Sequence, residues 1–422
     1  MKRFLGSIIM LFSLLVQSQD TLTLMQYNLL MFGNNTGDCN QSTNNYVAKT
    51  GYLKTIVEYV KPDILTVNEI NESFLYHDYI LNNALNVNST DYYQRGNPPN
   101  LSNSYIINQI FYNSEKLTLI SNLAIETNYR DIDIFKLKLN SSGTQEQVNL
   151  NCVVAHLKAG NSEEDEAERA NETSKLMNYL NNASETTNYT MSGDFNVYSA
   201  SEQAFQNLLF HSNQEIRFYD PVNQIGAWNN NPYFASVHTQ STHTSGDCFS
   251  WGGLDDRFDF ILASDEIING TSYIKFLPGT YKALGQDGNH FDKSLTSSPQ
   301  NNTVPEDVLY SLYNMSDHLP VVMKIIVGEN LGLQKISEQK FILSMQNPVH
   351  NNLHITVTAL KPLNLAVQLC NPQGQLLFFD SYPIEESTTS IQIPFTKFPE
   401  GVYLMRVGED QKRFSVWKII KN

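Results

Sequence analysis

Asp194 and Asn196 stand two positions apart in Tyr189-Thr190-Met191-Ser192-Gly193-Asp194-Phe195-Asn196, where a short β-prone run meets a small-residue turn. Two polar side chains so spaced can point to one side of a strand end, which is how a sheet edge presents a site. A carboxylate beside a carboxamide suits an oxygen-liganded divalent cation, or a water held next to a phosphate. Asp259 adds a second signal, because it sits inside the apolar run Arg257-Phe258-Asp259-Phe260-Ile261-Leu262. A carboxylate in a strand core is costly without a partner, and a histidine is the natural one. Ser316-Asp317-His318-Leu319-Pro320 offers it just before a strand over 321–327, where the neighbours Asp317 and His318 diverge and can serve two different groups. Three more candidates lie at or near the ends of predicted strands. Asn28 closes the alternating segment 21–28, Glu69 lies two residues past the buried run 64–67, and His156 comes at the end of 148–157. Each of these alone has a plain structural alternative, as a turn residue, a solvated acid or a hydrogen-bonding histidine.

The elements that must position them read as an open α/β arrangement. Leu22 and Leu24 share a face with Gln26 and Asn28, and helical spacing of Leu53, Ile56, Val57 and Val60 predicts a helix over 47–60, stopped by Pro62-Asp63. Apolar strands follow over 105–112 and 132–139, the second preceded by Arg130-Asp131. An outer helix is expected over 163–180, acidic at its start, and another over 201–210. Residues 219–253 form a long loop rich in Asn, Ser, Thr, Gly and aromatics, among them Trp228, Tyr233, Phe234, His238, His243 and Trp251. Loops of this length are often functional, so these aromatics are read either as a substrate-facing wall or as packing for their own loop. Open α/β sheets keep ligands beyond the carboxyl ends of their strands, where Glu69, His156 and Asp194 lie.

Composition bounds the partners. The chain begins with basic Lys2-Arg3 and an apolar run over 4–16 too short to span a bilayer, closing on Val16-Gln17-Ser18, which reads as a secretory signal peptide. The net charge of −15 becomes two units more negative, −17, once Lys2 and Arg3 are removed. That argues against tight, salt-driven binding to a polyanion, although a transient polyanionic substrate remains compatible if a cation intervenes. Four cysteines, Cys39, Cys152, Cys248 and Cys370, are too few and scattered for a disulfide scaffold or a zinc cluster. One loop disulfide between Cys39 and Cys248 is expected.

With Asn28, Glu69, His156, Gly193-Asp194-Phe195-Asn196, Asp259 and Ser316-Asp317-His318 in this order, residues 21–327 resemble the deoxyribonuclease I-like endonuclease/exonuclease/phosphatase superfamily. The resemblance implies a four-layer α/β/β/α sandwich of two mixed sheets meeting at one rim, and metal-dependent cleavage of a phosphoester. It implies Glu69 as the main metal carboxylate, with Asn28 and Asp317 close to the ion or the phosphate. Asp194 and Asn196 would orient the attacking water and the phosphate, His318 would be held by Asp259, and His156 would protonate the leaving group. Arg130 and Trp228 are the expected substrate contacts, and the implied cofactor is a divalent cation, Mg2+ with Ca2+ or Mn2+ as alternatives. Two departures bear on the substrate. No Asp or Glu occurs between Asp91 and Glu115 to support the first histidine, and Glu69 is followed by Ile70-Asn71-Glu72 rather than by a basic residue.

Beyond Gly328 the pattern changes to short alternating strands punctuated by Asn347-Pro348, Asn371-Pro372-Gln373-Gly374 and Pro399-Glu400-Gly401. Asn347-Pro348-Val349, Gly401-Val402-Tyr403-Leu404-Met405-Arg406-Val407 and Lys418-Ile419-Ile420-Lys421 resemble the type A sorting domain of type IX secretion, here a small all-β sandwich. The expected organisation is a signal peptide over 1–19, a catalytic domain over 20–327, a linker over 328–340 and a sorting domain over 341–422. The expected protein is a secreted or surface-held monomer with no membrane span. It would be a phosphodiester hydrolase, foremost a nuclease of low sequence specificity, with the type IX machinery as its partner. A phospholipid or sphingomyelin phosphodiesterase, a phosphomonoesterase, and a non-catalytic surface binding protein are the alternatives.

Overall fold

A computed structural model describes residues 20–328 and 341–421, apart from 141–146, 249, 346–347, 360–361, 373–374, 386–387 and 411–412. The expected signal peptide, and all of the expected linker after Gly328, lie outside the described residues. The chain divides into two compact units, Met1–Leu331 and Gly332–Asn422.

The first unit runs β1 (Asp20–Phe32), α1 (Tyr46–Val60), β2 (Ile64–Asn71), α2 (Phe74–Ile80), β3 (Tyr93–Arg95), β4 (Ile106–Asn113), β5 (Leu117–Ile125), β6 (Ile132–Leu139) and β7 (Asn149–His156). It continues through α3 (Glu163–Asn182), β8 (Tyr189–Asp194), α4 (Gln203–Leu209), β9 (Phe218–Tyr219), β10 (Asp259–Ser264), α5 (Asp265–Asn269), β11 (Ile274–Phe276), β12 (Lys282–Ala283), α6 (Glu306–Met315) and β13 (Val321–Val327). One sheet has the order β11-β13-β1-β2-β4-β3 with β12 on β13, and the other β5-β6-β7-β8-β10-β9. Both are mixed: β1 pairs parallel with β2 and antiparallel with β13, while β7 pairs parallel with β8 and antiparallel with β6.

Three apolar clusters define the layers. Leu53, Ile56 and Val57 of α1 and Val308, Leu312 and Met315 of α6 pack on Met25, Tyr27, Leu65 and Val67 of the first sheet. Leu22, Leu24, Ile64 and Met323 face Phe135, Leu150, Cys152 and Ile261 between the sheets. Leu176 and Met177 of α3 and Phe205 of α4 cover Val153, Met191 and Phe260 on the far face of the second sheet. Helix, sheet, sheet, helix is therefore the order of layers, as the resemblance implied.

Strand alternation carries this packing into the site. Leu22 and Leu24 face the inter-sheet core, and the next residues on the same face are Gln26 and Asn28, so β1 turns from apolar to polar as it nears one rim. Its neighbours change in step. Thr66 Oγ1 meets Ser192 Oγ across the layer at 2.9 Å, Asn68 Oδ1 receives Gln26 Nε2 at 2.8 Å, and Asn108 Nδ2 donates to Asp133 Oδ2 at 2.9 Å. These bonds offset part of the cost of taking the polar groups out of water.

The second unit holds sheets of β14 (Phe341–Met345), β15 (Asn352–Ala359) and β18 (Thr388–Pro394), and of β17 (Leu376–Ile384), β16 (Leu363–Cys370), β19 (Gly401–Asp410) and β20 (Arg413–Lys421). Leu353, Ile355, Val357, Leu365, Val367, Met405 and Val407 form its own core, giving an all-β sandwich. Because each unit has its own core, a protein ending at Leu331 is expected to melt as one cooperative transition and to keep its specific activity. Calorimetry of the truncated protein checks this, and a non-cooperative melt would contradict it.

Candidate active site at the sheet rim

The site starts from an irregularity between β1 and β2. Asn28 pairs with Asn68 and Phe32 with Ile70, so three residues of β1 face Glu69 alone. Such bulges sit at sheet ends and re-aim side chains. Leu30, Met31 and Glu69 all take left-handed backbone conformations, with φ of 44°, 53° and 57°. Each costs roughly 1–3 kcal/mol in a non-glycine residue and persists only where the surroundings enforce it. Here Leu30 N–H donates to Asn28 Oδ1 at 2.9 Å and Met31 N–H to Glu69 Oε2 at 2.8 Å. The bulge also corrects the expected position of Glu69, which lies within β2 rather than beyond it.

Asn28 was expected near the ion, and it stands among the acids, but as a donor. Its Oδ1 is taken by Leu30 N–H, so Nδ2 turns to Glu69 Oε1 at 3.0 Å and to Asp194 Oδ2 at 2.9 Å. It therefore bridges the two sheets, with one of the two acceptor positions of its oxygen taken by the bulge. Asp194, at the end of β8, receives this bond while its own N–H donates to Asn68 Oδ1 at 3.0 Å. Gly193 makes that placement feasible. Its φ is +146°, and a Cβ there would lie 1.7 Å from the carbonyl oxygen of Ala155 on β7, so only glycine lets the strands approach.

His318 closes the constellation. Its Nδ1 lies 2.7 Å from Asp259 Oδ2, and its Nε2 lies 3.8 Å from Asp194 Oδ2 and from Asp317 Oδ1. Burial opposes its charge, but the carboxylates of Asp259, Asp317 and Asp194 outweigh burial and hold its pKa well above the usual histidine value. His156 behaves in the opposite way. Burial first, then the charges of Arg130 and His318, push its pKa well below the usual value, so it is neutral. Its Nε2 faces Asp194 Oδ2 at 3.6 Å and Glu69 Oε1 at 3.8 Å, and its Nδ1 has no hydrogen-bond partner among the described residues. Asp194 is raised to about 7, by burial first and then by Asp259 and Glu69, against the lowering effect of His318 and Asn28.

The donor set fits a divalent cation. Glu69, His156 and Asp194 each offer one ligand atom, and these atoms lie within 4.8 Å of one another. Asp317 adds a buried Oδ1 that accepts no hydrogen bond among the described residues, while Gln240 Nε2 occupies its Oδ2 at 3.0 Å. Carboxylate oxygens at this density suit a hard cation such as Mg2+, Ca2+ or Mn2+.

The remaining candidates divide. Asn196, left-handed at φ 51°, donates to Leu157 O at 3.2 Å beside the site. Arg130 donates through Nε to His156 O at 2.9 Å and through Nη2 to Leu157 O at 2.8 Å, bracing the end of β7. Trp228 is a correction. It is 0% exposed, stacks edge-on against Phe205 and Phe260, and donates Nε1–H to Gln224 O at 2.7 Å, so it cannot face a substrate. Its large apolar ring completes the core under the loop, and among the described residues Tyr233 and Trp251 are that loop's exposed aromatics, at 91% and 62%. Trp228→Ala is expected to cost about 3–5 kcal/mol of stability in a denaturant melt with KM unchanged in the folded fraction. A raised KM without destabilisation would contradict it.

Sequence reasoning missed Asn68, Gln240 and Thr239, whose Oγ1 accepts the Asp259 N–H at 3.1 Å. For Asn68 a signal existed, since it follows Ile64 and Thr66 at period two on the inward face. The expected disulfide is present between Cys39 and Cys248, 209 residues apart.

Residues 347–422 match the family described as a secretion system C-terminal sorting domain. No curated protein matches the chain. Among solved structures, it is similar to an endonuclease/exonuclease/phosphatase family protein from Bacteroides thetaiotaomicron, at 14% identity over 73% of this chain and 96% of that one, with a TM-score of 0.46. It is similar to an endonuclease/exonuclease/phosphatase from Beutenbergia cavernae, at 12% identity over 94% and 99%, with a TM-score of 0.43. It is also similar to D. rerio TDP2 complexed with single strand DNA product, at 12% identity over 72% and 98%, with a TM-score of 0.45. Likenesses this distant carry none of the chemistry, which rests on this chain's own side chains. The sorting tail marks the chain for export, secreted or held at the cell surface. No helix among the described residues is long and apolar enough to cross a membrane.

Proposed function

We propose that this chain is an exported, divalent-cation-dependent phosphodiester hydrolase of the deoxyribonuclease I-like type, acting on nucleic acid with little sequence preference. The observation that carries the reading is the convergence of Glu69, Asp194 and His156 with the His318–Asp259 pair at one rim, from both sheets. Glu69, with Asp194, His156 and Asp317 around it, would hold the cation, which when bound neutralises charge on a phosphoryl oxygen.

The chain's own residues do the rest. Asp194, at the end of β8, would align a water beside it and take its proton, with Asn196 at the same strand end to orient the phosphate. His318, kept protonated by Asp259, supplies positive charge to the phosphate and a proton to the departing oxygen. His156 is neutral before substrate arrives, which fits a hydrogen-bonding group at the phosphate better than the proton source expected for it. Arg130 borders the same rim through its bonds to His156 and Leu157.

Charge limits how a nucleic-acid substrate is held. A mature chain near −17 has few cations to track a backbone, so nucleic-acid binding is weak, brief and dominated by the site. A second reading, hydrolysis of a lipid or small phosphoester, is favoured by the unsupported Nδ1 of His156 and the acidic residue after Glu69 in Ile70-Asn71-Glu72. Incubating the protein with plasmid DNA, RNA, sphingomyelin and a phosphomonoester under Mg2+, Ca2+ and Mn2+ separates the two. Nicking and degradation of DNA is the expected result, and intact DNA with consumed lipid or monoester would replace it with the second reading.

A further inference from the structure

The bulge that aims Asn28 and Glu69 has a second side. With the N–H groups of Leu30 and Met31 turned toward those two side chains, the carbonyls of Leu29, Leu30 and Met31 face away from the site and need donors of their own. Met31 O accepts one bond from Asn34 N–H at 3.0 Å, and the other donors come from two buried polar residues that none of the proposed chemistry uses. Lys49 Nζ donates to Leu29 O at 2.7 Å, to Leu30 O at 2.7 Å and to Asn44 Oδ1 at 2.6 Å. Asn44 Nδ2 donates to Leu30 O at 2.9 Å and to Met31 O at 3.2 Å. All three ammonium protons are therefore spent inside the protein.

Lys49 is out of place by packing alone. It lies one helical turn before Leu53 on the stripe of α1 that buries Leu53, Ile56 and Val57, and it is only 3% exposed. An apolar residue would fit that stripe without the cost of burying a charge. Burial drags the lysine down to about 7, against the pull of Asp317 and Glu69. What the ammonium gains in return is two carbonyls of the strained segment and the amide that holds the third. The side chains of Leu30 and Met31 meanwhile pack against the Cys39–Cys248 disulfide and Ile106, so the segment is also held by apolar contact.

We propose that Lys49 and Asn44 are positioning residues, a buried clamp on the Leu29–Met31 backbone that aims Asn28 and Glu69 at the cation and the scissile phosphate. The inference rests on the hydrolase reading above, but the clamp can be read without activity. The full mature chain is compared with Lys49→Met and Asn44→Ala by hydrogen exchange of the Leu30 and Met31 amides, by Mn2+ titration calorimetry, and by kcat and KM on a chromogenic phosphodiester. Asn44→Ala lies outside the helix and carries the test if Lys49→Met does not fold.

The expected result is faster exchange at both amides in metal-free protein, Mn2+ affinity lowered roughly 10–100-fold, as for other residues that orient metal ligands, and kcat lowered more than KM. Unchanged exchange in a folded variant overturns the clamp. Faster exchange with wild-type Mn2+ affinity and kcat overturns its link to the site. A wild-type chain that neither binds Mn2+ nor hydrolyses the diester sinks the hydrolase reading itself, and the inference with it.

Discussion

His318→Ala is expected to lower phosphodiester hydrolysis by about 10²–10⁴-fold while the protein stays folded, because it removes the one imidazole that the site keeps charged. The neighbouring His156 cannot substitute, since burial first and then the charge of Arg130 still disfavour its protonation when His318 is gone. Asp259 acts through the same ring. It is fully buried, its Oδ2 fixes Nδ1 at 2.7 Å, and Nε2 is thereby aimed at Asp194 and Asp317. Asp259→Asn offers that nitrogen an amide, which lowers activity by turning the imidazole or changing its tautomer. Steady-state kinetics on variants with normal circular dichroism check both. Turnover within a few fold of wild type in folded His318→Ala would remove His318 from the chemistry.

The second large effect belongs to Glu69. Glu69→Gln keeps the side chain's shape and one acceptor oxygen for Asn28 Nδ2 or Met31 N–H, yet removes the charge that a hard cation requires. Cation binding by calorimetry should fall below detection, and hydrolysis by at least about 10²-fold. Near-normal binding in this variant would place the cation elsewhere, or show that none is used.

Much of this site was legible because strand alternation and chemistry coincide. Asp259 in an apolar run announced a buried partner, and His318 is that partner. Gly193-Asp194-Phe195-Asn196 reads as a strand end, and Gly193 is required where β7 and β8 nearly touch. Other features were hidden for physical reasons. β5, Leu117–Ile125, is mostly half-buried or exposed and lacks an apolar rhythm, so it was not anticipated between the two strands that were. Glu69 was placed beyond its strand because a bulge has no signature in the apolar pattern. Trp228 was expected to meet substrate because it lies in a long loop, whereas its ring turns inward to Phe205 and Phe260. Lys49 carried a signal that went unused, a lone lysine on an apolar helix stripe.

Removal and return of the cation tests the central claim most directly. Purified mature protein is assayed on plasmid DNA and on a chromogenic phosphodiester, then after exhaustive chelation, then after adding back Mg2+, Ca2+ or Mn2+ singly. The site predicts hydrolysis that chelation abolishes and at least one of these ions restores, with Glu69→Gln inactive throughout. Hydrolysis that survives complete chelation, or that Glu69→Gln retains, would contradict it.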